Sequence, residues 1–506
     1  MSKKNTTIDL MFLGAPERAA ITAPGRKPLN YGNLKAFVYK LMTQLCQFGV
    51  QKTDRVAIIL PNGPEMATSF IAVSGVAVAA PLNPNYSLDE FKYYLNDLNA
   101  KAIIIQHNEC SAALTAAQEL DLKIFILYPQ TNQEAGVFSL EGPKLLSKKI
   151  HNILLNDDIA LVLHTSGTTS RPKIVPLSHQ NITTSAQNIG SWLKLTPQDK
   201  CLNIMPLFHI HGLIASLLTS LITGGCVSCT NGFNALRFFS WLNDESPTWY
   251  SAVPTMHQSI LSRASRNSKI LDLHCLKFIR SSSASLPVSV MQTLEEVFGI
   301  PVIEAYGMTE ASHQMTSNPL PPGKRIPGSV GLKAGPDIGI MDEEGNLLPN
   351  GNQGEVVIKG ENVTLGYENN KDANASSFEN GWFRSGDQGI IDKQGYLTLT
   401  GRLKEVINRG GEKISPHEVD AILMEHKAVQ QAVTFSIPHD KLGEEIAAAI
   451  VLHDNVTTSE KQLKIFAEAK LSRFKVPKKI LFLSEIPKGP TGKLQRVGLA
   501  KKLGLT

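Results

Sequence analysis

As far as about residue 330, short aliphatic and β-branched runs such as Arg55 to Leu60, Ala102 to Gln106, Ile124 to Tyr128 and Ile159 to Leu163 alternate with stretches of helical periodicity. Strand and helix taking turns predicts parallel α/β layers, because a parallel neighbour needs a crossover and the crossover covers the sheet. Between about 326 and 401 the punctuation changes: PGSVGLKAGP, EEGN, NGNQGE and KQGY cut the chain into short strands, among them Gly354 to Lys359 and Tyr396 to Thr400. Glycine-rich turns at that spacing predict a small antiparallel or barrel-like subdomain. Beyond 402 the pattern is mixed α+β, with a helix expected near Pro416 to His426 and strands near Val433 to Ser436 and Ala447 to Leu452. The expected division is an N-terminal unit, 1–401, with α/β subdomains to about 325 and a β-rich subdomain from 326, then a small mobile unit, 402–506, pivoting near 402–405.

Composition excludes some functions. The 506 residues, 42% of them apolar, support several cores rather than one. A net charge of +5 with 19% charged residues gives no broad basic field, so neither nucleic acid nor an anionic membrane is an expected partner. The most apolar stretch, Met66 to Leu82, is interrupted by Thr68, Ser69, Ser74, Gly75 and Pro81, which is too broken for a membrane span and reads as a buried helix followed by a strand. The opening MSKKNTTIDLMFLGAPERAA has no continuous apolar core and reads as neither signal peptide nor anchor. Six scattered cysteines without a leader argue for a reducing, cytoplasmic location. Cys226 and Cys229 form a CxxC, but with no second ligand pair they read as ordinary strand residues rather than a zinc or redox site.

The strongest chemical signal is Thr165-Ser166-Gly167-Thr168-Thr169-Ser170-Arg171-Pro172-Lys173, directly after the apolar strand Ile159 to Leu163. Glycine lets backbone N–H groups turn toward an anion, hydroxyls add donors, and Arg171 and Lys173 offset negative charge; together these make a polyphosphate cradle. The GxxxxGK[ST] spacing of a Walker loop is absent. Any Ser/Thr/Gly cluster also reads as a solvated turn, so the segment needs companions.

With its companions, TSGTTSRPK resembles the phosphate-loop signature of the acyl-adenylate-forming superfamily, which includes acyl-CoA synthetases, luciferases and peptide-synthetase adenylation domains. EAYGMTE (304–310), GEV with a following GY (354–367), SGDQG (385–389), GRLKEVINRGGEKISPHEVD (401–420) and PKGPTGKLQR (487–496) resemble its later motifs in the same order. Ser170 and Ile174 stand where that family usually has glycines. The resemblance implies ATP and coenzyme A as substrates, Mg²⁺ as cofactor and a small carboxylic acid as partner, in a monomer or homodimer.

It also implies residue roles. Thr165, Ser166, Gly167, Thr168, Thr169 and Lys173 would hold phosphates; Glu304, Ala305 and Tyr306 would line the adenine site; Asp387 and Arg402 would hold ribose. Thr309 would lie beside the phosphates and Glu310 would hold Mg²⁺, although a Glu there could instead serve a helix N-terminus. Asp387 could be an Asx-turn residue and Arg402 an interface salt bridge. Lys493 is similar to the lysine that bridges the attacking carboxylate and the α-phosphate; alone, a PTGK lysine is a solvent-facing charge. Lys404 looks like the hinge, and Arg409, Gly410 and Gly411 like the loop that meets a pantetheine arm after rotation, or else a plain turn.

The acid pocket is expected around PLFHIHG (206–212), Arg280 to Ser285 and Ala311 to His313, where Ser282 and Ser283 stand in place of the usual small apolar pair. These segments, with WYSAVPTMHQ and EAYGMTEASHQMTSNPLPPG, resemble the oxalyl-CoA synthetase branch, which implies a short diacid held by His209, Ser283 and His313, with His211 structural. The competing readings are a medium-chain or aromatic acid ligase in which the histidines only set pocket shape, an adenylating enzyme with a carrier-protein acceptor, and a catalytically inactive nucleotide sensor.

Overall fold

The computed structural model describes residues 6–143, 154–165, 172–488 and 493–505. The alternating first part folds into two mixed sheets. One has seven strands in the order Phe138–Glu141, Lys123–Pro129, Ala102–Gln106, Arg55–Ile59, Val78–Pro81, Ile159–His164, Ile174–Ser178. Its interior pairs are parallel and its two edges antiparallel. The helix Pro64–Ser74, buried along nearly its whole length, crosses between Arg55–Ile59 and Val78–Pro81, so the apolar stretch is a core helix and strand. Among the described residues no helix is long and apolar enough to cross a membrane.

The second sheet has nine strands: Leu332–Lys333, His313–Ser317, Val302–Met308, Phe278–Ser281, Trp249–Ala252, Lys200–Asn203, Cys226–Cys229, Ala19–Thr22 and Leu29–Asn30. The run from Val302–Met308 to Ala19–Thr22 is parallel throughout. All four residues of Phe278–Ser281 are buried, as are those of Trp249–Ala252. Each fully buried large apolar side chain contributes about 1.5–3 kcal/mol, and the Trp249–Phe278 stack, centroids 5.6 Å apart, lies in this layer. Cys226 and Cys229 end one strand three positions apart, on opposite faces, and both are free thiols.

The glycine-punctuated region forms a six-stranded sheet in which Leu347–Leu348, Asp337–Met341, Gln353–Lys359, Trp382–Ile391 and Phe378–Glu379 follow one another and Leu397–Arg402 also pairs with Trp382–Ile391. All its pairings are antiparallel. After it, Glu412–Ile414, Ile407–Arg409, Gly443–Leu452 and Val429–His439 form a further sheet, with Lys479–Phe482 added parallel. Helices Pro416–Met424 and Glu460–Glu468 contribute Val419, Leu423, Leu463 and Ala467 to a core of its own. Polar contacts tie this last unit to the rest: Gln258 Nε2 donates to the Gln430 carbonyl at 3.0 Å, and the Ser415 hydroxyl to the Thr400 carbonyl.

Candidate active site

The strand Val302–Met308 and the turn Thr309–Ala311 carry EAYGMTE to the edge of the six-stranded sheet. There the buried Tyr306 phenol donates to Asp387 Oδ2 at 2.5 Å, while Arg402 Nε donates to Oδ1 at 2.8 Å. Register explains the second contact, because Asp387 and Arg402 are direct cross-strand partners. Burial, then the Asp387 charge, push the Tyr306 phenol well above its ordinary range, so it stays a donor. Asp387 in turn holds the Arg402 guanidinium even more firmly protonated. A carboxylate oriented by two fixed donors keeps lone pairs for a vicinal diol.

Glu310 is buried in the adjoining turn, and Tyr367 donates its hydroxyl to Glu310 Oε1 at 2.7 Å. The Lys173 ammonium stands 4.2 Å from the Tyr367 ring centroid. Burial raises the Glu310 pKa, opposed by the Tyr367 hydrogen bond and the Arg402 and Lys173 charges. Lys173 itself is lowered by burial and by Lys404, which is otherwise exposed to solvent. Thr165 and Lys173 clasp each other: the Thr165 N–H donates to the Lys173 carbonyl at 2.9 Å, and the Lys173 N–H to Thr165 Oγ1 at 3.3 Å. Ser166, Gly167, Thr168 and Thr169, expected to hold phosphates, lie outside the described residues. Thr309 is half-buried in the same turn as Glu310.

Among the described residues no group of three or more His, Cys, Asp or Glu could hold a metal ion. A buried carboxylate within the field of Lys173 fits Mg²⁺, which keeps its waters and is bound by one or two carboxylates plus substrate phosphates.

Lys493 enters this cleft from the C-terminal unit. It is half-buried, and its pKa is pushed down to about 8 by burial, then by Arg402, with Asp387 and Glu310 pulling the other way. Three residues on, Arg496 fastens the segment: Nη1 meets Glu405 Oε2 at 2.6 Å, Nε donates to the Thr434 carbonyl at 2.7 Å, and Nη2 pairs with Asp420. Glu405 closes the turn Leu403–Glu405 that contains Lys404.

On the other side of Lys493 lie the acid-pocket candidates. His209 is held neutral, at about 3, by burial and by the Lys493 charge. Its Nδ1 accepts the His211 N–H at 3.3 Å, leaving Nε2–H as a donor. His211 opens a π-wound helical stretch, His211–Leu218, and is bonded on both sides: Nε2 lies 2.6 Å from Ser251 Oγ and Nδ1 3.0 Å from Ser283 Oγ. Its ring meets that of His313 edge-on at 4.8 Å. His313 is buried with both ring nitrogens unpartnered among the described residues. Ser283, Ser312 and His313 have φ of +73°, +48° and +97°, left-handed backbone that non-glycine residues adopt at a cost of about 1–3 kcal/mol each. Unpaired imidazole nitrogens on strained backbone are what a polar ligand site leaves empty-handed.

Some candidates stand elsewhere. The Glu304 side chain accepts the Leu286 N–H at 2.9 Å, and burial raises its pKa to about 8, so it supports the 282–286 loop. Ala305 offers its carbonyl to the Ser282 hydroxyl at 2.9 Å, which removes Ser282 from the pocket floor and leaves Ser283 facing it. Arg409 is engaged by Glu445 at 2.6 and 3.0 Å, while Gly410 and Gly411 are exposed at the hairpin turn with φ +60° and +98°. Among the described residues, no hydrogen bond or ion pair joins these three to Lys493.

Tyr367, Arg496, Ser251 and Gln314 were given no role by sequence reasoning, and Arg280 only a place in a pocket segment. The last had a signal: an arginine inside the otherwise strand-like FIRS. Arg280 is fully buried, and among the described residues its guanidinium donates to Ser251 Oγ at 3.3 Å and Gln314 Oε1 at 3.1 Å.

Known proteins resemble the chain along nearly its whole length. The chain is 42% identical over 487 residues to an oxalate–CoA ligase from Arabidopsis thaliana, covering 95% of each chain. It is 43% identical over 477 residues to an oxalate–CoA ligase from Saccharomyces cerevisiae, covering 89% of this chain and 87% of that one. Among solved structures, ATP-bound MatB from Rhodopseudomonas palustris superposes with a TM-score of 0.88 at 27% identity, over 99% of this chain and 98% of that one. The family model for AMP-binding enzymes matches residues 13–368 and that for the AMP-binding enzyme C-terminal domain matches 418–493. A match over residues 13–368, with relatives above 40% identity along most of the length, means that the chain belongs to the AMP-binding enzyme family.

Proposed function

We propose that this chain is an ATP-dependent acid–CoA ligase that forms an acyl-adenylate and then an acyl-CoA thioester, with oxalate as the acid. The observation that carries the reading is the meeting of Lys493, from the C-terminal unit, with Asp387, Arg402 and Glu310 in one electrostatic neighbourhood. A carboxylate attacking a phosphate meets like charge, so the barrier falls when fixed cations stand where charge concentrates. Lys493, between the acid-side histidines and the nucleotide side, is the cation for the attacking carboxylate and the α-phosphate. Asp387 and Arg402 hold the ribose, Tyr306 borders the adenine, and Lys173 with the 165–169 loop holds the phosphates. Glu310, beside Thr309, would hold Mg²⁺ together with phosphate oxygens, and the ion would supply further charge neutralisation. His209, Ser283 and His313 receive the acid's second carboxylate, a role favoured by the unpartnered ring nitrogens of His313 and by the likeness to oxalate–CoA ligases.

Thiol transfer follows a rotation of the unit 402–506 about Lys404, which withdraws Lys493 and brings Arg409, Gly410 and Gly411 toward the cleft. The exposure of the Gly410–Gly411 turn and the position of Lys404 beside the cleft support that reading. One chain carries every residue named, so a monomer suffices, and six free cysteines accord with the cytoplasm. The test is direct: with ATP, Mg²⁺ and CoA, oxalate should yield oxalyl-CoA, seen by mass, in preference to malonate, octanoate and benzoate. A preference for octanoate or benzoate would overturn the choice of acid.

A further inference from the structure

Arg280 is a cation with no visible reason to be where it is. Its strand, Phe278–Ser281, is wholly buried, and among the described residues Nε has no partner and no carboxylate pairs with the guanidinium. A buried unpaired charge is retained against its desolvation cost only where something makes use of it.

Its hydrogen bonds point toward a use. A guanidinium can only donate, so Arg280 Nη1 takes a lone pair of Ser251 Oγ. The other Ser251 contact is His211 Nε2 at 2.6 Å. Were Nε2 protonated, Ser251 would accept twice and its own proton would have no acceptor among the described residues. The satisfied arrangement has the Ser251 hydroxyl donating to an unprotonated Nε2, which places the single ring proton of a neutral His211 on Nδ1. That proton goes to Ser283 Oγ at 3.0 Å, so Ser283 accepts there and its hydroxyl proton is turned outward, with no acceptor among the described residues. Ser283 is the only member of this chain that is not fully buried. His209 is locked in the same sense, with Nδ1 accepting and Nε2–H free.

We infer that Arg280 is a positioning residue that sets the direction of the chain Arg280–Ser251–His211–Ser283, so that the pocket presents Ser283 O–H as a donor to a substrate's second carboxylate. Reversal of the chain would present an oxygen lone pair to the anion instead of a proton. The inference deepens the oxalate reading and rests on it. Arg280 also keeps His211 and His313 unprotonated, since its charge adds to the effect of burial on both. On the far side Gln314 Oε1 anchors Nη2, and Gln314 Nε2 donates to the Ala334 carbonyl at 2.9 Å, which fixes the guanidinium plane.

The experiment measures acid-dependent pyrophosphate exchange with oxalate and with acetate in the intact protein, Arg280→Met, Arg280→Lys and Ser251→Ala. Loss of a charge-assisted donor should lower the oxalate-to-acetate ratio of kcat/KM by about 10- to 100-fold in Arg280→Met and Ser251→Ala, chiefly through KM for oxalate. Arg280→Lys, still an obligate donor, should retain most of the ratio. A purely structural arginine would depress both acids together, and that result, or an unchanged ratio in Ser251→Ala, overturns the inference. Should Arg280→Met fail to fold by circular dichroism, Ser251→Ala decides alone, since it leaves the arginine in place. Absence of oxalate-dependent exchange in the unmodified protein is a different failure: it removes the oxalate reading and this inference with it.

Discussion

Arg402 Nε lies 2.8 Å from Asp387 Oδ1, and the two residues are paired across adjacent antiparallel strands. The sheet register, not the sequence distance, makes them a clamp, and the Tyr306 phenol on the other carboxylate oxygen completes it. Asp387→Asn should therefore lower kcat/KM for ATP by about 10- to 100-fold, the loss of charge-assisted hydrogen bonds. Stability should change little, because the Arg402 side chain is 42% exposed and water can solvate it once unpaired. An ATP titration of pyrophosphate exchange, with a melting curve beside it, checks both halves.

Lys493 gives the adenylation step a basic limb. Its pKa is lowered to about 8, so the cation is lost as pH rises through that value. With the protonated form doing the work, kcat/KM should be flat below about pH 7 and fall above 8. Lys493→Ala should abolish the limb along with most adenylation, while CoA transfer from preformed acyl-AMP falls far less. Equal losses in both half-reactions would contradict the role.

Glu304 ties stability to pH. Its folded pKa, about 8, exceeds the unfolded value near 4.5, so the native state binds the extra proton between them. Stability is full below the unfolded pKa and declines as pH rises toward 8. Glu304→Gln, which keeps an acceptor for the Leu286 N–H, should flatten that decline while leaving nucleotide affinity within about twofold. Urea unfolding at several pH values between 5 and 8.5 measures the slope.

Tyr367→Phe removes the donor to Glu310 while keeping the ring under Lys173. One lost hydrogen bond of about 1 kcal/mol should raise the apparent KM for the magnesium nucleotide about fivefold, with a smaller effect on oxalate KM. Varying Mg²⁺ at fixed ATP separates the two.

Much of this was legible in the chain itself. Alternating strand and helix patterns predicted parallel α/β layers, which the interiors of both sheets are, with antiparallel pairs added at their edges, and the strands Ala102–Gln106 and Ile159–His164 fall where aliphatic runs lie. The long strand Val429–His439 extends beyond the expected Val433 to Ser436 because its ends carry Gln430, Gln431, Pro438 and His439. Pairing with Gly443–Leu452 holds those polar ends in the sheet, and hydropathy does not register such pairing. In the site, Tyr306, Asp387 and Arg402 come together through side-chain hydrogen bonds. The role of Arg280 was hidden, since it depends on which neighbours accept and which donate. That the Glu304 carboxyl turns to the Leu286 backbone was hidden for a related reason.

The most direct measurement is oxalate-dependent exchange of labelled pyrophosphate into ATP by the protein with Mg²⁺ and without CoA, which isolates acyl-AMP formation from everything after it. The account requires label in ATP when oxalate is present, none when it is withheld, and near-complete loss in Lys493→Ala. No exchange with oxalate or any other carboxylate, or exchange undiminished without Lys493, would contradict it.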